Sequence, residues 1–410
     1  MARKMKDSGI EWIGEIPEGW EVVPVKRLCT MQAGKNLTSE QIAPEGTYPV
    51  YGGNGIRGFF SDYNCDGQFL TVGRQGALCG NVHKINGKVW ATEHAVITTP
   101  SSYTILDFLY YLLIGMDLNQ YVSSTAAQPG LAVGTLLNLK TCYPCSTLEQ
   151  TQISNYLNAK CSEIDVMLTK TRSSIDEYKK LKQTVITQTV TKGVRGERKM
   201  KDSGVEWIGQ IPAEWSICPL KRLAAIQTGS TPSKTSSESF YSSIAGTPWI
   251  KPDNLGFSSS IETTSEFLTE EGCSVARTLP SNTVYVGCIG SRIGNCGYSL
   301  IPCACNQQIN ALIFNARMYW KYGWYLTIFQ EEQYMLLANG NVIQIINSTT
   351  QGNISCIVPS ISEQREITAY LDAKCAEIDG LIEKKEQLVK ELESYKKSLI
   401  YEVVTGKREV

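Results

Sequence analysis

Arginines enclosed by glycines are the residues of this sequence whose type and spacing are best suited to chemistry. Arg57, Arg74 and Arg292 each have a glycine within two residues on both sides, and Gln75 follows Arg74 directly. Glycine allows a tight turn and a close approach, and a guanidinium can donate two hydrogen bonds to guanine, as the amide of Gln or Asn can bind adenine. The pattern is also typical of tight hairpins with solvated polar tips, and the sequence alone leaves both interpretations open.

Further polar runs could contact base edges or phosphates. The amides of Asn306, Gln307, Gln308 and Asn310 match base edges, but they could equally satisfy buried backbone groups of a strand. The run 92–94 occupies the corresponding place in the first half, where His94 either contacts a ligand or is hydrogen-bonded inside the fold. Lys251 could hold a phosphate, although the residues after it are typical of an ordinary turn. The complete set of candidates is Asn54, Arg57, Arg74, Gln75, Glu93, His94, Thr231, Lys234, Lys251, Asn254, Arg292, Asn306, Gln307 and Gln308.

Metal binding and catalysis are not expected from the residue pattern. Cys142 and Cys145 form a Cys-x-x-Cys pair, but no second pair follows at zinc-ribbon spacing, and the sequence holds only two histidines. We therefore expect reduced thiols, most of them small core residues. The nucleotide-binding Gly-x-x-x-x-Gly-Lys-Ser/Thr run, the Asn-Pro-Pro-aromatic run of adenine methyltransferases and a complete Pro-Asp, Glu-x-Lys nuclease set are also missing. The chain is expected to be no enzyme and to bind no metal or cofactor itself.

Length and charge set the wider limits. A chain of 410 residues suits two domains with connecting elements. The 39 basic and 40 acidic residues nearly cancel, and the segments 21–147 and 216–358 each hold eight of either sign, so a broad cationic surface is not expected. The sequence shows no apolar run of membrane-spanning length and no secretory signal, which predicts a cytoplasmic protein without membrane contact.

Two repeated sequence runs, which we call echoes, show that the chain consists of two halves with the same organisation. The run 4–14 recurs almost unchanged as 199–209, an offset of 195, and the run 156–165 recurs as 370–379, an offset of 214. The stretch between the echoes is therefore 19 residues longer in the second copy, the difference between the offsets. The two copies of this stretch show only faint similarity to each other. The sequence therefore predicts two unlike domains, each bordered by repeated segments that we call frames.

The chain termini add a circular order to the repeat. The last residues, 404–409, resemble 191–198, so joining the C-terminus to the N-terminus would recreate the central junction. This order is expected of two halves related by an approximate two-fold axis. Four tryptophans recur in the frames, and we expect them to pack between frame and helix: Trp12, Trp20, Trp207 and Trp215.

A long helix is predicted after each second echo, because proline and glycine are nearly absent and apolar residues recur at spacings of three and four. The first would run from about Leu148 to Val190, roughly 60 Å. Lys182 and Lys396 occupy the same position on the two apolar stripes, which are Ile164, Leu168, Ile175, Tyr178 and Val185, and Ile378, Ile382, Val389, Leu392 and Leu399. Other apolar residues widen the stripes towards a second neighbour, as a docking face would: Met167, Leu181, Leu381, Leu388 and Tyr395.

Several motifs in fixed order resemble the specificity subunits of type I restriction-modification systems over essentially the whole chain. They are Gly-x-Glu-Trp-Ile-Gly with Ile-Pro-x-x-Trp in both frames, the runs 51–58 and 73–77, and the runs 246–255, 306–311 and 362–367, followed by the helices. One departure is Glu149-Gln150-Thr151, which replaces the Ser-Glu-Gln-Arg form present at 362–365. It leaves open which contacts the start of the first helix makes.

The resemblance implies an α+β fold: two mixed α/β target recognition domains separated by two long, antiparallel coiled-coil helices, with pseudo-two-fold symmetry. The expected boundaries are a frame segment 1–20, target recognition domain 1 at 21–147, the central helix 148–198, the repeated frame 199–215, target recognition domain 2 at 216–359 and the C-terminal helix 360–410.

The function implied is recognition of a bipartite, asymmetric target in double-stranded DNA, with the helices as a ruler between the readers. Expected partners are two modification (methyltransferase) subunits and restriction/motor subunits, which would carry S-adenosylmethionine, ATP and Mg. The main alternative is a non-catalytic, pseudo-symmetric scaffold that joins protein partners without reading DNA, because repeats and helices fit it equally well.

Overall fold

The computed structural model describes residues 3–75, 79–122, 130–232, 237–256, 260–261, 263–340 and 343–410. The chain separates into two compact units. Unit 1 comprises Met1–Arg172 and Gln387–Val410, and unit 2 comprises Ser173–Glu386. Each unit therefore contains one frame segment, one variable segment and portions of both long helices.

Unit 1 is built on a four-stranded antiparallel sheet and a smaller three-stranded sheet. Its strands are β1 (Met5–Asp7), β2 (Glu15–Pro17), β3 (Trp20–Pro24), β4 (Cys29–Ala33), β5 (Tyr48–Gly52), β6 (Gly55–Phe60), β7 (Gln68–Gly73), β8 (Val82–Asn86), β9 (Trp90–Ala91), β10 (Ala95–Pro100) and β11 (Lys140–Pro144). The larger sheet has the order β4-β10-β7-β8, and the smaller has β6-β5-β9 with β9 parallel to β5. Strand β7 is buried from Phe69 onwards, as expected of an apolar run in a central strand.

The helices of unit 1 cover this sheet and form its frame. They are α1 (Leu106–Gly115), α2 (Val133–Asn138), the first part of α3 (Thr147–Lys192) and the last part of the C-terminal long helix, from Gln387 onwards. In α1, Phe108, Leu109 and Leu112 are completely buried in a core that also takes in Leu70, Val96 and residues of the long helices. Burial of these side chains is the main source of stability for the unit.

Unit 2 repeats the large sheet and enlarges the small one. Its strands are β12 (Met200–Asp202), β13 (Gln210–Pro212), β14 (Ser216–Pro219), β15 (Ala224–Thr228), β16 (Tyr241–Ser242), β17 (Thr247–Ile250), β18 (Phe267–Leu268), β19 (Thr278–Leu279), β20 (Thr283–Gly287), β21 (Cys296–Ser299), β22 (Cys303–Cys305), β23 (Ile309–Phe314) and β24 (Ser355–Val358). The orders are β15-β23-β20-β21 and β16-β18-β17-β22-β19. The helices are α4 (Ser237–Phe240), α5 (Glu270–Val275), α6 (Trp320–Phe329), α7 (Glu331–Leu337), α8 (Ser348–Gly352) and α9 (Ile361–Val404).

The two variable segments share a topology that their sequences do not reveal. Strand β5 pairs in parallel with β9, as β17 pairs with β22, and the four strands of the large sheets follow the same order. Unit 1 has only β6 between β5 and β7. At the same place, between β17 and β20, unit 2 has β18, α5 and β19. Most of the 19 extra residues of the second copy lie in this insertion, so the dissimilarity of the domains concerns side chains and one insertion.

The frame hairpins have the same backbone in both units. Gly9 and Gly14 have φ of 67° and 68°, and Gly204 and Gly209 have φ of 73° and 69°, the left-handed region that favours glycine. Behind each hairpin lies a tryptophan with 1% of its surface exposed, Trp20 in unit 1 and Trp215 in unit 2. The expectation that these two tryptophans pack is confirmed.

Both long helices begin and end with matching signals. Ser146 and Ser360 precede the helices and accept hydrogen bonds from the backbone N–H groups of Glu149 and Glu363, as N-cap residues do. Beyond the C-terminal ends, Gly193 and Gly406 have φ of 77° and 74°, the usual C-cap conformation. The predicted helix from about Leu148 to Val190 is confirmed as Thr147–Lys192.

The helices pair antiparallel within each unit through the predicted stripes. In unit 1, Lys396 Nζ lies 2.7 Å from Asp165 Oδ1, and in unit 2, Lys182 Nζ lies 2.7 Å from Asp379 Oδ2. The common position of the two lysines thus has a cause: each pairs with an aspartate on the facing helix. The apolar residues assigned to a second neighbour are exposed: Met167, Leu181, Leu381, Leu388 and Tyr395.

The helix starts make the same contacts despite the sequence departure. The Gln150 amide donates to Pro144 O and Tyr103 O and accepts from Ile105 N, and the Gln364 amide makes the corresponding bonds to Pro359, Arg317 and Tyr319. The departure therefore leaves this core contact unchanged. What unit 1 lacks is the stacking of Arg365 over the Tyr319 ring, because Thr151 stands in its place.

Candidate functional site

In unit 1 the sequence-predicted residues gather where β5, β7 and β9 end. The backbone N–H of Arg74 donates to His94 O at 3.0 Å. A Cβ at Gly53 would lie 2.9 Å from Gln75 O and 3.5 Å from His94 O, so the 51–55 loop touches both other runs. The residues brought together here are Asn54, Arg57, Arg74, Gln75, Glu93 and His94.

The loop after β5 holds its polar tips in defined positions. A Cβ at Gly52 would lie 2.4 Å from Cδ of Arg57, so the arginine side chain crosses the glycine directly. Asn54 Oδ1 accepts from Asn81 Nδ2 at 2.9 Å. Arg57 and Asn54 are both exposed. The hairpin interpretation of this run is confirmed in its geometry, and base contact stays a prediction.

Glu93, His94 and Arg74 form a polar cluster with unused hydrogen-bonding atoms. His94 Nε2 lies 3.1 Å from Glu93 Oε1, and each side chain is about one third exposed, at 35% and 36%. Within the described part of the chain, Glu93 Oε2, His94 Nδ1 and Arg74 Nε are buried atoms without a hydrogen-bond partner. Buried polar atoms are normally satisfied, so three together in one place call for an explanation.

In unit 2 the amide cluster lies on the turn between β22 and β23. Thr231 Oγ1 donates to Gln307 Oε1, and Asn306 Nδ2 donates to Gln308 Oε1 at 3.2 Å. Gln307 and Gln308 are exposed. The alternative that these amides satisfy a buried strand is therefore wrong for Gln307 and Gln308, which lie on the surface. Asn310 is buried in β23, where it donates to Gln351 Oε1 and accepts from Thr228 Oγ1.

The turns 92–94 and 306–308 are structurally equivalent. Thr92 N donates to Tyr51 O at 2.9 Å, and Asn306 N donates to Ile250 O at 3.1 Å. The bond from Arg74 N to His94 O has its counterpart in the bond from Cys288 N to Gln308 O, at 2.8 Å. The correspondence predicted from the sequence is confirmed by this hydrogen-bond pattern.

A glycine presses against each turn. A Cβ at Gly34 would lie 2.2 Å from Ala91 O, and a Cβ at Gly229 would lie 2.2 Å from Asn306 O. No side chain fits at either position, because real Cβ atoms do not approach oxygen so closely. We call each turn with its glycine the reading turn of its unit, after the base contact that the sequence analysis predicts for it.

The other candidates of unit 2 are engaged by carboxylates or by the backbone. Lys251 Nζ lies 2.6 Å from Glu266 Oε2 and over the Trp249 ring. Asn254 Oδ1 accepts from Lys251 N at 2.9 Å, so the ordinary-turn interpretation is confirmed for Asn254. Arg292 Nη2 lies 3.4 Å from Asp253 Oδ1, and phosphate contact by Lys251 stays a prediction. Lys234 lies outside the described residues.

Sequence reasoning missed two neighbours of the cluster in unit 1. Asn81 holds Asn54, and His83 Cε1 lies 3.4 Å from the position of a Cβ at Gly55. Partial burial lowers the pKa of His83 below its ordinary value, because the charged imidazolium loses hydration. No local pattern marks these residues, since β8 reaches the loop only through sheet pairing.

The cysteines behave as core residues. Most are buried and all are free thiols. Burial raises the pKa of Cys29 and of Cys142 to about 12, because the thiolate is poorly solvated there. Over the described ranges we find no group of three or more His, Cys, Asp or Glu side chains that could hold a metal ion. In the same part of the chain, no helix is long and apolar enough to cross a membrane.

Each unit also has an open groove between one helix of its variable segment and the paired long helices. That helix is α1 in unit 1 and α6 in unit 2. In unit 1 it has a volume of about 670 Å³ and is lined by Ile114, Asp165, Thr169, Lys396 and Lys397, among others. In unit 2 it has about 800 Å³, and its counterparts are Ile328, Asp379, Glu383, Lys182 and Gln183. The grooves share a position in the fold but differ in charge: Lys170, Lys396 and Lys397 outnumber Asp165 in unit 1, and Asp379, Glu383 and Glu386 outnumber Lys179 and Lys182 in unit 2.

Comparison with known proteins agrees with this architecture. The family model of the type I restriction modification DNA specificity domain matches residues 17–172 and 212–391. The specificity subunit of the type I restriction enzyme EcoprrI from Escherichia coli is 44% identical over 121 residues, which span 28% of this chain and 30% of that subunit's length. The type I restriction enzyme MjaVIII specificity subunit from Methanocaldococcus jannaschii is 25% identical over 422 residues, covering 96% of this chain and 93% of the relative.

A solved chain shows the same fold over nearly the whole length. It comes from work on the complex assembly and conformational transition of the type I R-M system, and it aligns with a TM-score of 0.72 at 14% identity, covering 96% of this chain and 99% of its own. The family match places this repeated fold among DNA specificity proteins. Because the family model matches well over half of its residues, the chain belongs to the type I restriction modification DNA specificity family.

Proposed function

We propose that the chain is the DNA sequence-recognition subunit of a type I restriction-modification complex and that each unit reads one half of a bipartite target. The observation that carries the proposal is the pair of reading turns. Both are held by the same backbone bonds, yet one presents Glu93 and His94 and the other Gln307 and Gln308. Equal scaffolds with unequal side chains suit an asymmetric target.

Base contacts carry much of the binding in this proposal. Since 21–147 and 216–358 each contain equal numbers of basic and acidic residues, the chain lacks the charge excess that drives sequence-independent binding. Arg, Gln and Asn at exposed turns are the residue types that read base edges in the major groove. The candidate contacts are Asn54, Arg57, Arg74, Gln75, Glu93, His94, Thr231, Lys234, Lys251, Asn254, Arg292, Asn306, Gln307 and Gln308.

The long helices act as the ruler between the half-sites. Helix α3 has 46 residues, and at 1.5 Å per residue it is about 69 Å long. Two readers on one face of B-DNA lie about 34 Å apart or a multiple of it. The helices are long enough to set such a spacing, and their ion pairs fix the register in each unit.

Catalysis belongs to partner subunits in this account. Two modification subunits, which bind S-adenosylmethionine, would dock on the grooves of the two units and on the exposed apolar residues beside them. Restriction/motor subunits, which bind ATP and Mg, would join that complex. Support for docking comes from Met167 and Leu388, which are 52% and 42% exposed although they lie on helices with otherwise buried stripes.

Mapping adenine methylation tests the proposal. The chain is expressed with the modification subunits of its source organism in a host that lacks adenine methylation, and methylated adenines are located by single-molecule sequencing. The expected result is one motif with two conserved blocks separated by a fixed gap. A protein scaffold that does not read DNA would leave the genome without any such motif, or with a motif that stays the same when this chain is replaced by another family member.

A further inference from the structure

The unused polar atoms of unit 1 have complementary hydrogen-bonding character. Glu93 is an acceptor whose Oε1 is held by His94 Nε2 at 3.1 Å, which leaves Oε2 without a partner in the described structure. Arg74 is a donor whose buried Nε also lacks a partner there. Because Arg74 N donates to His94 O, the side chains of Arg74 and Glu93 start from neighbouring points of the backbone.

Leaving such atoms unpaired inside a protein is costly, so the arrangement persists only where something compensates for it. The side chains of Glu93 and His94 are about one third exposed as a whole, so a ligand can contact them. The Oε2 atom itself is buried and meets a ligand only when the Glu93 side chain turns outwards. In unit 2 the amides at the equivalent turn are exposed and are engaged with Thr231 and Asn306. The deficit is thus a property of the side chains of unit 1 and not of the shared backbone.

The chemistry of the two groups selects a ligand. A carboxylate only accepts hydrogen bonds. In DNA it is therefore repelled by the phosphates and by the acceptor atoms of guanine and thymine, and it can accept a hydrogen bond from the amino group of a base. A guanidinium only donates, and it matches the two acceptors N7 and O6 of guanine. A G·C pair offers both features side by side in the major groove: two acceptors on guanine and the amino group on cytosine.

We propose that Arg74 and Glu93 together read a G·C base pair in the half-site bound by unit 1, with Arg74 donating to guanine and Glu93 Oε2 accepting from the cytosine amino group. His94 is a positioning residue, because it holds the other carboxylate oxygen. This inference rests on the proposed function and names the base pair that the site takes. Gln307 in unit 2 both donates and accepts, so its turn has no such restriction.

Selection from a randomised duplex library tests this assignment. The full-length chain, purified with its modification subunits, is used to enrich bound DNA, and the motif is compared between wild type and Glu93→Gln. The substitution keeps the shape but gives the side chain a donor, so the preference for G·C at one position should fall on the order of tenfold. The other block of the motif should stay unchanged.

Matched variants make the result specific. Gln307→Glu is the reciprocal exchange and should alter only the other block. Glu163→Gln removes a carboxylate from an exposed ion pair on α3 and should alter neither block. Arg74→Lys keeps the positive charge but loses the two parallel hydrogen-bond donors of the guanidinium. It should weaken the preference for G·C at the same position of the motif as Glu93→Gln does. It also tests the assignment on its own if Glu93→Gln does not fold.

The outcomes separate this inference from the proposed function. A two-block motif in which Glu93→Gln and Arg74→Lys change no position, change the second block, or act on an A·T position overturns the inference and leaves the function standing. Failure of wild type to enrich any two-block motif overturns the proposed function itself. Loss of the G·C preference at one position of one block in both variants supports both.

Discussion

The reading turns 92–94 and 306–308 share a backbone and differ in side chains. Each is fixed by a hydrogen bond to the neighbouring small-sheet strand, by a bond from the central strand and by a glycine pressed against it. None of these contacts uses the side chains of the turn. The comparison teaches that the fold separates the positioning of a contact from its chemistry, so target preference can change without loss of stability.

The largest effect is expected at the helix starts, where the same residue is buried differently in the two units. The Glu363 side chain is 3% exposed and contacts Trp215 Nε1 at 2.8 Å and Arg198 Nη1 at 2.6 Å, whereas Glu149 is 29% exposed. Glu363→Ala should destabilise the protein by about 2–3 kcal/mol, because Trp215 Nε1 loses its acceptor and Arg198 keeps only the more exposed Glu214 as a carboxylate partner. Glu149→Ala should cost about 1 kcal/mol.

Denaturant unfolding checks this difference. Equal losses for the two variants would show that the frames are energetically alike and that the burial difference has no consequence. Glu363→Gln, which keeps an acceptor for Trp215, should recover part of the lost stability.

The glycines of the reading turns should tolerate no side chain. Gly34→Ala and Gly229→Ala each bring a Cβ to 2.2 Å from a carbonyl oxygen and should destabilise by about 1–3 kcal/mol, with disturbed binding of one half-site only. Gly134→Ala is the matched control, because nothing lies within 4 Å of its Cβ position. Thermal unfolding and the methylation motif measure the two effects, and loss of both half-sites in one variant would contradict independent reading turns.

The ion pairs between the long helices should contribute less. Lys182 is 13% exposed and Lys396 is 28% exposed, so Lys182→Met should change the free energy of unfolding more than Lys396→Met, each by less than about 2 kcal/mol. A double variant with Asp379→Asn or Asp165→Asn gives the coupling in each unit. A larger coupling for the more exposed pair in unit 1 would contradict this order.

Thiol labelling distinguishes the buried Cys288, which lies beside the reading turn of unit 2, from a surface cysteine. Cys288, which stands where unit 1 has Arg74, has a pKa raised to about 11 by burial, so at pH 8 it is almost entirely the unreactive thiol. Alkylation with iodoacetamide followed by mass spectrometry should modify exposed Cys145 and leave Cys288 unmodified in the native protein. Fast modification of Cys288 would show that this reading turn opens readily.

The sequence predicts the long helices of this structure well, and it predicts the pairing of the β-strands poorly. The long helices follow from their apolar spacing and from the glycines beyond their ends, and Lys182 and Lys396 already mark a common register. The sheet order and the likeness of the two domains do not follow, because β10 or β23 finds its partners through contacts distant in sequence. For the same reason Asn81 and His83 escape notice, whereas the correspondence between 92–94 and 306–308 is visible from their place before a β-rich run.

Hydroxyl-radical footprinting of the complete complex on its own target tests most directly whether the two units read separate half-sites. Wild type should protect two patches about one helical turn apart, roughly 34 Å, or a multiple of it. Gly229→Ala should weaken one patch and leave the other as it is. One uninterrupted patch, or equal weakening of both patches by that single substitution, would contradict the account.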